Sequence, residues 1–164
     1  MKWLRASLFA QAILALYFQL IQWLPLGQWN HQPGFTPLGI QVIHGDATAL
    51  DVLLMVAFVL PGALFWLGFV RNWRWVMWSC TLGYAIWLAL QIMTWWVAYI
   101  FGASDSWARV YQRVFSQSTQ LLPTVGRHLP PDGMHLILHV LLTAVVVLAV
   151  TGLRETSREE KSSQ

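Results

Sequence analysis

The chain has 164 residues, 57% of them apolar and only 10% charged, with 11 tryptophans and a formal charge of +3. Soluble domains carry roughly 25% charged residues, so this composition points to a membrane protein. The few basic residues are scattered, which gives nucleic-acid binding no support. The single cysteine, Cys80, excludes an intramolecular disulfide, a CxxC redox pair and a thiolate zinc cage.

Four stretches, about 3–24, 50–70, 75–101 and 133–153, stay apolar for the roughly 20 residues needed to cross a bilayer as helix. They predict an all-α polytopic membrane protein, a four-transmembrane-helix bundle forming one domain over 1–154. The first stretch follows Lys2 and Arg5 as a signal peptide would. It ends in WLPLGQW without a small-x-small cleavage site, so it is expected to stay as a helix. Lys2, Arg5, Arg71, Arg74, Arg154, Arg158 and Lys161 fall on one side of these spans, and Arg109, Arg113 and Arg127 on the other. The positive-inside bias then places both termini in the cytoplasm, with 155–164 as a frayed cytoplasmic tail. All five histidines (His31, His44, His128, His135, His139) and all four aspartates (Asp46, Asp51, Asp105, Asp132) fall toward the outer face.

The first outer loop, about 25–49, holds Pro25, Pro33 and Pro37 with four glycines, and is expected to fold back as a cap. In the second, Trp107, Val110, Tyr111, Val114, Phe115, Leu121 and Leu122 share one helical face. Arg109, Gln112, Arg113, Ser116, Gln117 and Gln120 occupy the other. This predicts an amphipathic helix over about 105–122 on the outer face, capped by Ser104 or Asp105 and limited by Pro123. Such a helix suits a bilayer interface or a lid on the bundle. Within the spans, Ser7, Gln11, Gln19 and Gln22 form one polar stripe, and Tyr84, Gln91 and Thr94 another; each is expected to face neighbouring helices. Pro61-Gly62 is expected to kink the second span and free a carbonyl. Tryptophans 23, 29, 73, 75, 78, 95, 96 and 107 read as an interfacial belt.

The segment PPDGMHLILH, 130–139, opens the fourth span. At 100° per residue Asp132, His135, His139 and Thr143 share a face about 80° wide, with Asp132 near the surface and His139 about 10 Å deeper. Two imidazoles at i, i+4 can hold one divalent metal ion, with Asp132 as orienting group or third ligand and His44 or Asp51 completing the set. The same cluster reads first as a structural pin bonded to Gln19, Gln22, Asp51 or loop carbonyls, and also as a proton-relay or polar-substrate pocket. Two histidines one turn apart cannot take opposite faces of one haem.

The succession WLPLG, LPGAL, WWVAYIFG, Y-x-R-x-F, LLPTVG and PP-x-x-x-H-LILH resembles an uncharacterised family of small bacterial four-span integral membrane proteins. Ala98 stands where that family's pattern has a proline. The resemblance implies a compact inner-membrane protein and transfers no catalytic residue. Three functions are in view. One is an accessory or interaction protein of the bilayer, binding other membrane proteins or a second copy. Another is a metal- or small-ligand-binding protein using Asp132, His135, His139, His44 and Asp51. The third is an enzyme acting on a lipid or quinone through outer-face histidine and aspartate. Neither a phosphate-cradling glycine motif, a serine elbow nor HExxH is present, and four spans without a repeat lack transporter organisation.

Overall fold

The structure is a computed structural model that describes residues 2–24, 26–29, 44–45 and 48–162, leaving out the side chains of residues 50, 51, 54, 57 and 159–162. It is helical, with no strand among the described residues. The helices are α1 (Lys2–Trp23), α2 (Ala49–Arg71), α3 (Arg74–Phe101), α4 (Asp105–Val114) and α5 (Gly133–Ser162), with a single 3-10 turn at Gly27–Trp29. Among the described residues three helices, α1, α3 and Gly133–Arg158 of α5, are long and apolar enough to cross a membrane. Helix α2 has 23 residues and runs on through Pro61; its apolar part within the described side chains is Phe58–Arg71.

The long helices touch in a ring: α1 on α5, α5 on α3, α3 on α2 and α2 on α1. Two glycines set the closest approaches. A Cβ on Gly152 would lie 2.8 Å from the backbone nitrogen of Leu4, so α5 can meet the start of α1 only without a side chain there. A Cβ on Gly68 would lie 3.0 Å from Met77 Cγ and 3.2 Å from the Trp73 carbonyl oxygen, which keeps the α2–α3 turn tight. That turn is closed by Asn72 at φ 54, while Trp73 N–H reaches back to the Gly68 carbonyl at 2.7 Å. This is the left-handed C-terminal cap with a six-to-one bond, which satisfies a carbonyl that α2 would otherwise leave open. Between the turn and the opposite end lie three stacked cores. Leu4, Phe65, Met77, Cys80 and Leu153 fill the first, Leu14, Tyr84, Leu138 and Leu142 the second, and Trp95, Ala98, Tyr111 and Leu129 the third.

Three sequence expectations change. The amphipathic helix expected over 105–122 ends at Val114, because Phe115 leaves helical geometry and Ser118 Oγ donates to the Phe115 carbonyl at 2.7 Å. A short serine side chain that bonds its own backbone competes with helix propagation. Ser104, rather than Asp105, is the N-cap and accepts the Trp107 N–H at 3.2 Å. The expected frayed tail is instead helical to Ser162. Arg74, at the head of α3, donates to the Leu153 carbonyl at 3.2 Å and to Ser157 Oγ, so the extension of α5 is tied to the α2–α3 turn. Trp95, assigned to the belt, is 2% exposed and forms the hub of the third core. Trp75 and Trp66, by contrast, are 71% and 57% exposed.

Candidate functional site

The third core ends at a polar cluster. Residues 129–134 are all buried, and Asp132, expected near the surface, is fully buried. It is covered because loop segments knit over it: Thr119 N–H donates to the Gln28 carbonyl at 2.9 Å and Gly133 N–H to the Thr119 carbonyl at 2.6 Å. Gly133 permits this closeness, since a Cβ there would lie 3.1 Å from the Trp29 ring.

Asp132 stands immediately before α5 and caps it. Its Oδ1 accepts the His135 backbone N–H at 2.8 Å and the His135 ring Nδ1–H at 2.7 Å. Its Oδ2 lies 3.2 Å from Ser118 Oγ, whose one proton is shared with the nearer Phe115 carbonyl at 2.7 Å. One carboxylate thus satisfies a helix N-terminus, fixes an imidazole and fastens the segment after α4. The His135 ring packs on Trp95, with centroids 4.2 Å apart, and meets Phe115 edge-on at 5.6 Å. Its Nε2 has no hydrogen-bond partner among the described residues, and its side chain keeps 18% exposure.

His139 is one turn deeper and 5% exposed. Its Nδ1 accepts the Trp96 indole N–H at 3.0 Å, and indole can only donate. The proton therefore sits on Nε2, which faces Gln91 Oε1 at 3.3 Å. Gln91 and Trp96 are five residues apart and would diverge on an ordinary α-helix. The π-helical stretch Ile92–Trp96 brings both to the same imidazole and turns Trp95 inward beside them.

The Asp132–His135–His139 run that the sequence singles out is therefore assembled, but with different companions. Thr143 is exposed and bonds the His139 carbonyl of its own helix at 2.7 Å. His44 is exposed. The side chain of Asp51, and all of His31 and Asp46, lie outside the described residues. Gln19 reaches the Met55 carbonyl at 3.4 Å and accepts from Trp23, not from a histidine. His128 donates from Nδ1 to the Tyr99 carbonyl at 2.7 Å. Among the described residues no three His, Cys, Asp or Glu side chains converge as a metal site would require.

Residues not flagged by the sequence complete the site. The indole Nε1 of Trp107 and the hydroxyl of Tyr111 are buried beside the cluster without a hydrogen-bond partner. Burial, reinforced by the Asp132 charge, pushes the Tyr111 hydroxyl up to about 12. Arg127 clasps Asp105 at 2.7 Å and the Ala103 carbonyl at 2.8 Å, closing the segment that carries α4. On the apolar side of α4, Trp107 and Tyr111 pack on Trp95 and Phe115, while Val110 is 45% exposed.

Comparison with family models, with curated proteins and with solved structures finds no match to this chain.

Proposed function

We propose that the chain is a four-span integral protein of a bacterial inner membrane, with both termini cytoplasmic. It acts as an accessory or interaction partner of other membrane components, and its Asp132–His135–His139 cluster is the outer-face clamp that holds the cap on the bundle. The observation that carries this reading is the engagement of the cluster's polar atoms within the fold: both nitrogens of His139 and both oxygens of Asp132 have protein partners. Large apolar side chains exposed along the helices, such as Phe9, Leu16, Leu82 and Val147, fit a lipid-facing belt. Seven of the ten basic residues, at the two termini and the α2–α3 turn, against Arg109, Arg113 and Arg127 of the 102–132 segment, support the orientation.

Two measurements test it. In intact spheroplasts an impermeant maleimide is expected to label Val125→Cys, and Lys161→Cys only after lysis; the reverse pattern overturns the orientation. Cys80 is buried and gives little background. A photo-crosslinking residue at the exposed position 66 is expected to give a discrete protein adduct. Lipid adducts alone would remove the interaction half of the reading.

A second reading rests on one observation. Asp132 holds His135 by Nδ1 at 2.7 Å and leaves Nε2 unbonded at a partly exposed edge. This is the arrangement of an oriented general base, suited to proton transfer on a lipid or quinone headgroup. A His135→Gln variant that keeps full stability and loses a lipid- or quinone-directed activity would favour this reading over the clamp.

A further inference from the structure

Far from the polar cluster, α1 and α2 leave a groove of about 300 Å³ lined by Leu8, Gln11, Ala15, Val59, Gly62 and Trp66, together with Ala12 and Ala63. Its walls are aliphatic or indole apart from one amide. Gln11 is 3% exposed, and its Nε2 donates to Ser7 Oγ at 3.0 Å. The amide oxygen is left buried with no hydrogen-bond partner. A buried acceptor without a donor is costly, and native proteins rarely retain one. Gln11 sits about 14 Å along α1 from Lys2, near mid-helix, where lipid tails offer no donor.

A second polar atom reaches the same place. A Cβ on Gly62 would lie 3.7 Å from Gln11 Oε1 and 3.5 Å from the Tyr84 hydroxyl oxygen. The missing side chain at position 62 therefore keeps open a small space with an acceptor on one side and a phenolic hydroxyl on the other. Tyr84 is 4% exposed and arrives from α3. The cavity holds about ten non-hydrogen atoms, at roughly 30 Å³ each.

We infer that this groove binds a neutral, chain-like apolar molecule through a single hydroxyl, which donates to Gln11 Oε1 and accepts from Tyr84. A charged headgroup is excluded by the aliphatic walls and the lack of any ionisable lining residue. A bare acyl chain fits the volume but leaves the amide unanswered. The inference assumes membrane insertion and is independent of the clamp at the other end.

The test uses a ten-carbon aliphatic alcohol bearing a mid-chain diazirine, and its methyl ether, with the full chain in phosphatidylethanolamine–phosphatidylglycerol nanodiscs. Photolysis followed by peptide mapping is expected to place the alcohol on residues 8–15 or 59–66 about fivefold more than the ether, the factor one hydrogen bond supplies. Gln11→Leu should bring the alcohol down to the ether's level. Gly62→Ala should do the same. Its added methyl meets neighbours only at ordinary contact distances, so folding is expected to survive even if Gln11→Leu misfolds. Equal labelling by alcohol and ether in the wild type would overturn the proposal and leave the groove to acyl chains or water. A hydroxyl preference that persists in both variants would overturn it as well.

Discussion

The carboxylate of Asp132 and the amide oxygen of Gln11 are both buried, yet the fold treats them in opposite ways. Asp132 is met by a backbone N–H, an imidazole N–H and a serine hydroxyl, while Gln11 Oε1 is met by nothing. A fully bonded buried carboxylate fixes whatever it touches, because releasing it strands a charge. An unanswered acceptor fixes nothing and awaits a donor. The contrast separates a part of the molecule that holds shape from one that is open to a ligand.

The largest expected effect lies where the two regions are kept in register. Gly152→Leu should drive α5 away from α1 and lower unfolding free energy by about 3 kcal/mol in detergent titrations. An undiminished stability would mean that the α1–α5 contact is not the frame for either region. Asp132→Ala follows, at about 2–3 kcal/mol, because it removes a helix cap and strands the N–H groups of His135. Asp132→Asn, which keeps an acceptor for the cap, should recover part of that loss.

Smaller substitutions sharpen the comparison by magnitude. Trp96→Phe deletes the donor to His139 and should destabilise by about 1 kcal/mol. Gln11→Leu removes an unpartnered acceptor together with the bond to Ser7 Oγ, so the two changes offset and the net effect should stay well under about 1 kcal/mol. If both lose stability equally, the distinction between a bonded and an open region collapses. An effect confined to alkaline pH concerns Tyr111. Its hydroxyl titrates near 10 when unfolded and is raised to about 12 in the fold, so stability should fall as pH rises from 10 toward 12. Tyr111→Phe should flatten that slope in pH-dependent unfolding.

Much of this was legible in the residues. The long apolar runs predict α1, α3 and the start of α5 closely, and 100° periodicity puts Asp132, His135 and His139 on one face. What periodicity could not supply is the π-helical stretch at Ile92–Trp96, because an extra residue per turn breaks the spacing rule itself. Trp95 and Trp96 consequently read as belt residues, and their role as partners of His135 and His139 stayed hidden. The early end of α4 was masked for a related reason: Leu121 and Leu122 continue the helical pattern after Ser118 has turned the chain. Burial of Asp132 depends on contacts with Gln28, Trp29 and Thr119, which no local pattern reports.

The central claim is that the histidine cluster holds the structure together. Equilibrium unfolding of the His135→Ala/His139→Ala double variant in detergent, compared with wild type, tests it most directly. The clamp predicts a loss of about 2–3 kcal/mol, since Asp132 and Trp96 are left with unanswered buried groups. A double variant as stable as wild type would contradict it.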